Sequence, residues 1–216
     1  VLYFTEDVIL PENISDMLHS TEKNTWYGKN ALCIGDSLTH AGVWQRQLSI
    51  MLGMNVYTHA LGGSGMIGLI DGTTTSVGTI AALSVADVTN KDLIIFFAGY
   101  NDRGTADGES GDVYPTNNTI AGRLQYCINS IFDLLSQANN LSCRVIVITP
   151  HCVGKYASIP YDGYTDYPTG TGRSMKTLAK TMETVAHDNN LPCYNAWENS
   201  GINKFTWNVF TASPVS

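Results

Sequence analysis

Three short polar segments carry residue types suited to acyl transfer. Ser37 follows an apolar run in ALCIGDSLTH (31–40), Gly65 ends LGGSG (61–65), and Asn101 lies in GYND (99–102). A hydroxyl can act as a nucleophile, whereas a glycine N–H and a side-chain amide can donate hydrogen bonds to the negative oxygen of a tetrahedral intermediate. These residue types therefore indicate chemistry at an ester or related acyl group.

Each segment alone also has a purely structural interpretation. Serine at position 37 is a common helix cap, glycines mark turns, and Asn101 suits a left-handed turn. A functional interpretation is favoured over the structural one because each segment follows one of three successive predicted strands. In an open parallel sheet, the carboxyl ends of the strands form the ligand crevice. The order of the three segments therefore predicts that they converge.

Apolar runs that alternate with helix-length segments predict the sheet that positions these residues. Two runs, DLIIFFAG and CRVIVITP, are continuously apolar, as expected of strands covered on both faces. Helical spacing is clear in NTIAGRLQYCINSIFDLLSQANN, in SMKTLAKTMETVAHDNN and, over a shorter length, at 44–52. We predict an α/β fold: a three-layer α/β/α, flavodoxin-like, doubly wound parallel sheet with five strands at 31–34, 55–59, 93–97, 144–149 and 192–194.

Composition narrows the choice of partners. The net charge is −7, with only 12 Lys and Arg residues, which does not suit a nucleic-acid backbone or an anionic membrane surface. No apolar run approaches the roughly 18 residues of a membrane span. The five cysteines are widely spaced and lack the paired C-x-x-C layout of a zinc site. We expect a small-molecule or carbohydrate ester substrate, with no metal and no cofactor.

GDSLT, the glycine block and GYND resemble blocks I, II and III of the SGNH (GDSL-type) hydrolases, over about residues 31–195. The resemblance implies a three-layer α/β/α fold with Ser37 as the nucleophile, its N–H also donating to the oxyanion. It implies Gly65 and Asn101 as the other two donors, with Gly63 as the alternative to Gly65. Candidate substrate contacts are Asp36, Tyr100, His151, Tyr161 and Tyr164.

The family's last block, Asp-x-x-His, supplies the general base and the aspartate that orients it. No segment after Asn101 has this pattern, and His19, which matches its letters, lies before the first strand. His151 follows the fourth strand and is a weaker candidate for the base. We expect His40 beside Ser37 on a helix, His59 in packing, and His187 on a surface helix face.

We therefore expect the base and its aspartate beyond residue 216, and poor ester hydrolysis by these 216 residues alone. In this interpretation residues 31–216 form the hydrolase-like domain, truncated at its carboxyl end. Residues 1–30 form an extension or the tail of a preceding segment. For the cellular location, our hypothesis is a secreted or cell-surface bacterial protein, or a phage structural protein.

The preferred function is a serine esterase that removes acetyl or other short acyl groups from a carbohydrate. The alternative is a non-catalytic carbohydrate-binding or structural domain of the same fold. Lipase or thioesterase activity is compatible with the fold but less favoured. GSGMIG (63–68) matches the dinucleotide-binding pattern G-x-G-x-x-G, yet LIDGTTTS after it is a poor start for the required helix.

Overall fold

The computed structural model describes residues 24–70, 79–152, 174–203 and 206. Within them, five strands form one all-parallel sheet in the order β2-β1-β3-β4-β5. The strands are β1 (Asn30–Gly35), β2 (Asn55–Ala60), β3 (Leu93–Phe97), β4 (Arg144–Ile148) and β5 (Cys193–Tyr194). This order has its switch point between β1 and β3, so the predicted doubly wound α/β sheet is confirmed.

Helices cover both faces of the sheet. They are α1 (Ser37–His40), α2 (Val43–Leu52), α3 (Met66–Ile70), α4 (Val85–Val88), α5 (Ile120–Gln137), α6 (Met175–Asp188) and α7 (Ala196–Asn199), with single 3-10 turns at Ile80–Ala82 and Tyr100–Asp102. The long helices α5 and α6 pack on one face, and α2 lies on the other, where Trp44 meets Phe97 edge-on with ring centroids 6.0 Å apart. The three-layer prediction is confirmed.

The core explains why β3 is continuously apolar. Ile94 and Phe96 are buried in the main core with Leu124 of α5 and Met182 of α6. Phe97 points to the opposite face, toward α2. Because both faces are covered, neither set of alternating side chains needs to be polar.

Some element boundaries differ from the sequence prediction. β1 is longer by one residue at each end, because the backbone of Asn30 pairs with β2 although its side chain is polar. β4 ends at Ile148 rather than at Thr149, and β5 is shorter by one residue. α2 begins at Val43, directly after Gly42, whose φ of 73° interrupts the helical backbone.

The residues just before β1 are tied to the sheet. Asn24 Nδ2 donates to the Leu52 carbonyl (2.7 Å), and the Gly28 N–H donates to the Gly53 carbonyl (2.9 Å). These bonds fix the entry of β1 against the turn between α2 and β2. No helix in the described residues is long and apolar enough to cross a membrane.

Candidate active site

Ser37 lies where β1 turns into α1. Asp36 is the N-cap of α1, and its Oδ1 accepts a hydrogen bond from the Leu38 N–H (3.0 Å). A side chain at Gly35 would overlap the Phe97 carbonyl oxygen and Thr39 Oγ1, so this tight turn requires glycine. Ser37 is therefore both the first residue of a helix and an exposed hydroxyl at the sheet's carboxyl edge.

Hydrogen bonds between their neighbours connect the three predicted site residues. Asp36 Oδ2, next to Ser37, accepts from the Tyr100 N–H (3.2 Å). Asn101 Nδ2 in turn donates to the carbonyl of Ser64 (2.8 Å), which precedes Gly65. The structure thus brings the ends of β1 and β3 and the loop after β2 together at the switch point of the sheet, where ligands bind in folds of this kind.

Several donors at this edge are unengaged. Within the described residues, neither the Ser37 hydroxyl nor the Gly65 N–H donates a hydrogen bond. The Ser37 N–H is the first of its helix and has no intrahelical partner. Asn101 uses one amide proton on Ser64 and keeps the second. Preorganised donors of this kind are what a developing oxyanion requires.

The two candidate glycines of block II differ in their surroundings. A Cβ at Gly65 would lie 2.9 Å from both carboxylate oxygens of Asp102, so the backbone approaches that carboxylate more closely than a side chain permits. Gly63 has open space around it but a φ of 77°, which favours glycine for backbone reasons. The close approach places Gly65, rather than Gly63, against the buried groups of the site.

A buried ion pair beneath the loop is the main feature that the sequence reasoning missed. Asp102 Oδ2 accepts from the Met66 N–H (2.7 Å), and Asp102 Oδ1 pairs with Arg123 Nη1 (2.7 Å). Arg123 also donates to Thr105 Oγ1 (2.9 Å) and Asn118 Oδ1 (2.8 Å). A signal existed in the sequence: Arg123 lies three residues after Ile120 and four before Cys127, on the apolar face of α5.

Burial raises the pKa of both carboxyls at this edge. For Asp36 the pKa is raised to about 6, with the negative charge of Asp102 adding to burial and the N–H groups of Leu38 and Tyr100 opposing it. Burial also raises the pKa of Asp102, opposed by the Met66 N–H and by Arg123. The site therefore has two desolvated carboxyl groups below its exposed hydroxyl.

The predicted substrate contacts are placed differently from one another. Asp36 was predicted to contact the substrate, but it is fully buried and caps α1, and its carboxylate accepts hydrogen bonds from the N–H groups of Leu38 and Tyr100. Tyr100 is half-buried, with the Arg103 guanidinium 5.0 Å from its ring centroid. Tyr161 and Tyr164 lie outside the described residues.

None of the described histidines forms a hydrogen bond with Ser37. Their ring nitrogens contact backbone carbonyls elsewhere: His40 Nδ1 at Ala60 (3.2 Å), His59 Nε2 at Thr79 (2.7 Å) and His151 Nδ1 at Cys152 (2.6 Å). His187 is exposed in the last turn of α6, and His19 lies outside the described residues. No group of three potential metal ligands occurs in the part of the chain that the structure describes.

No family model and no curated protein matches the sequence, but solved structures match the fold. A possible lipase from Chitinophaga pinensis superimposes with a TM-score of 0.60 at 19% identity, covering 79% of this chain and 68% of that one. A candidate SGNH hydrolase from Slackia heliotrinireducens gives 0.54 at 15% identity, covering 87% and 89%. The chain has the SGNH-hydrolase fold.

A third structure of this fold is Est24, a carbohydrate acetylesterase from Sinorhizobium meliloti. It has a TM-score of 0.50 at 16% identity and covers 77% of this chain and 83% of its own. In this chain Ser37 follows β1 and Asn101 follows β3. At these identities the likeness concerns the fold, and the chemistry has to be argued from the residues.

Proposed function

We propose that this protein is a serine ester hydrolase that acts on short acyl esters, with O-acetyl groups of a carbohydrate as the favoured substrate. The observation that carries the proposal is the convergence of unengaged donors. The Ser37 hydroxyl, the Gly65 N–H and the second amide proton of Asn101 lie on segments that hydrogen bonds join at the switch point of the sheet. The lipase and hydrolase structures that share the fold support esterase chemistry.

In the proposed reaction, Ser37 Oγ attacks the ester carbonyl carbon while its proton passes to a general base. The carbonyl oxygen becomes negative and is held by the N–H groups of Ser37 and Gly65 and by Asn101 Nδ2. Collapse of this intermediate releases the alcohol, which takes the proton, and leaves an acyl group on Ser37. Water then repeats the sequence and releases the carboxylic acid.

The general base is expected outside the described residues. A serine hydroxyl is a weak nucleophile without a base within hydrogen-bond reach. None of the four described histidines makes that contact with Ser37. The proposal therefore depends on a histidine from another part of the protein, in keeping with the Asp-x-x-His block of the family that the sequence resembles.

Two observations support a carbohydrate ester as the substrate. Est24, which shares the fold, is a carbohydrate acetylesterase. The chain also carries a net charge of −7, which disfavours anionic lipid surfaces more than neutral acetylated sugars. The specific assignment, removal of acetyl groups from a carbohydrate, can thus be tested separately from the general one, ester hydrolysis.

The deciding experiment measures hydrolysis of p-nitrophenyl acetate, p-nitrophenyl octanoate and acetylated xylan, by this chain and by the full-length natural protein. We expect activity in the full-length protein, a preference for the acetyl ester, and a loss of at least about 10³-fold with Ser37→Ala. Ser136→Ala, which removes an exposed hydroxyl on α5, is the matched control. Activity that persists in Ser37→Ala contradicts the mechanism.

A carbohydrate-binding domain without catalysis is the second candidate. It is favoured by the same observation that leaves Ser37 without a histidine among the described residues. Calorimetry with acetylated and deacetylated xylan oligosaccharides distinguishes the two. Binding without turnover by the full-length natural protein supports the binding domain, whereas turnover that depends on Ser37 supports the enzyme.

A further inference from the structure

A cavity of about 540 Å³ lies at the amino edge of the sheet, where β1, β3 and β4 begin. Its lining includes Trp26, Lys29, Lys91, Asp92, Asn140 and Arg144. β1 runs from Asn30, at this cavity, to Gly35, near Ser37. At about 3.3 Å per residue the two edges are roughly 17 Å apart, so the cavity is separate from the Ser37 crevice.

The cavity carries a net positive charge on an acidic protein. Lys29 Nζ pairs with Asp92 Oδ1 (2.9 Å), which leaves two further cations. Lys91 Nζ lies 4.3 Å from the centroid of the Tyr57 ring, and the Arg144 guanidinium lies 5.7 Å from that of Trp26. Within the described residues, neither of these two cations pairs with a carboxylate. Contacts with aromatic rings do not neutralise a charge, so the residues that line the cavity carry about two positive charges in excess.

Hydrogen bonds to backbone carbonyls hold the positions that carry these cations. Asn140 Nδ2 donates to the carbonyls of Val88 and Lys91 (both 2.9 Å), which fixes the turn before β3. The Arg144 N–H donates to the Asp92 carbonyl (3.0 Å) at the start of β4. Because the turn and the strand are already ordered, a ligand would not have to order the backbone on binding.

Among the described residues that line the cavity, Asp92 supplies the one carboxylate, and it is engaged inside the protein. Asp92 Oδ2 accepts from the Asn30 N–H (2.8 Å), and this bond is the largest cause of its lowered pKa. Its other oxygen faces Lys29. Asp92 stays ionised, but the charge of Lys29 offsets it, which leaves Lys91 and Arg144 in excess. This arrangement selects an anion over a cation.

We propose that this cavity binds a small organic anion, a sugar-sized molecule whose carboxylate or phosphate group contacts Lys91 and Arg144. The volume lies in the range of small-molecule sites and exceeds what an inorganic anion fills. The planar guanidinium of Arg144 can hold a carboxylate or phosphate through two parallel hydrogen bonds. The site does not depend on the ester hydrolase proposal.

The test measures binding by calorimetry and by tryptophan fluorescence, with Trp26 as the reporter inside the cavity. The probes are glucuronate, glucose 6-phosphate, uncharged glucose and inorganic phosphate at low ionic strength. We expect one or both sugar anions to bind more tightly than glucose and phosphate, and binding to weaken as salt screens the charges. The tighter of the two identifies the acidic group. No binding by either sugar anion at about 10 mM overturns the proposal.

Variants assign the binding to this cavity. Lys91→Gln and Arg144→Gln are each expected to weaken binding about tenfold. Lys176→Gln, which removes the same charge from an exposed position on α6, is the matched control. Arg144→Lys keeps the charge and is expected to retain more binding than Arg144→Gln. An equal loss with Lys176→Gln contradicts the site.

The site's independence from catalysis is tested with Ser37→Ala, which should leave anion binding unchanged. Unfolding curves of each variant check that the fold is retained, and Arg144→Lys keeps the test valid if Arg144→Gln does not fold. Binding that disappears with Ser37→Ala places the anion in the crevice and overturns the proposal.

Discussion

The two edges of the sheet each carry an ion pair of similar length, but in opposite surroundings. Arg123 and Asp102 at the carboxyl edge are 2.7 Å apart, with side chains 10% and 0% exposed. Lys29 and Asp92 at the amino edge are 2.9 Å apart, with side chains 50% and 30% exposed. The distances alone would rank the pairs as equal. Burial separates them, because water can replace a lost partner at the amino edge only.

The difference corresponds to different uses of charge. At the carboxyl edge, Asp102 links the Met66 N–H of the glycine loop to α5 through Arg123. That network orders the backbone around Gly65 and Asn101. At the amino edge, Lys91 and Arg144 are not paired with carboxylates among the described residues and border a cavity. We infer that the charges at the carboxyl edge hold the geometry of the site, whereas the cations at the amino edge bind a ligand.

The largest expected effect is on Arg123. Arg123→Met leaves the Asp102 carboxylate buried without its cation, and we expect the free energy of unfolding to fall by about 3–5 kcal/mol. Urea unfolding followed by circular dichroism measures this loss. A loss below about 1 kcal/mol would mean that Asp102 is not held as a desolvated charge, and the contrast between the two edges would fail.

The next effect concerns catalysis at the same edge. Asn101→Ala removes one oxyanion donor, and we expect kcat for p-nitrophenyl acetate to fall by about 10²–10³-fold in the form that hydrolyses esters. KM should change much less, because the donor acts on charge that develops in the transition state. Asn129→Ala, at an exposed position of α5, is the matched control.

Asn101 also holds the loop through Ser64, so unfolding of Asn101→Ala is measured in parallel. A rise in KM with an unchanged kcat would assign Asn101 to substrate binding instead of oxyanion stabilisation.

The sequence predicted the carboxyl edge better than the amino edge, for a physical reason. Ser37, Gly65 and Asn101 each lie in the segment that follows a predicted strand, so the rule for parallel sheets was sufficient to predict that these segments converge. Lys29, Lys91 and Arg144 are far apart in sequence and form no motif. They meet because the register pairs Ala31 with Leu93 and Leu93 with Arg144, and register is not visible in a single sequence.

The Arg123–Asp102 pair lies between these two cases. The position of Arg123 on the apolar face of α5 indicated a buried cation that needs an acid. Its partner could not be identified, because the packing of α5 against the loop after β2 is a tertiary contact. Boundaries such as Asn30 were missed because backbone pairing can extend a strand past its apolar residues.

A third prediction tests whether Asp36 is as desolvated as Asp102. Its pKa is raised from 3.8 to about 6 in the folded protein, so the folded state binds this proton more tightly than the unfolded state. The resulting stabilisation is complete below pH of about 4 and is lost as the pH rises through about 6. We expect the difference in unfolding free energy between wild type and Asp36→Asn to fall by about 3 kcal/mol over this interval.

Urea unfolding of both proteins at several pH values measures that difference, and Asp133→Asn at an exposed position of α5 is the control substitution. A difference that stays constant from pH 4 to pH 7 would mean that water reaches Asp36. The carboxyl edge would then resemble the amino edge more closely than its burial indicates.

The smallest effect is expected at the exposed pair, and it completes the comparison. Lys29→Met leaves Asp92 with its bond from the Asn30 N–H, the largest cause of its lowered pKa, and with water on its other oxygen. We expect a loss below about 1 kcal/mol in the same urea experiment as Arg123→Met. A loss as large as that of Arg123→Met would show that the fold depends equally on both pairs, because burial would then no longer explain which ion pair stabilises this protein.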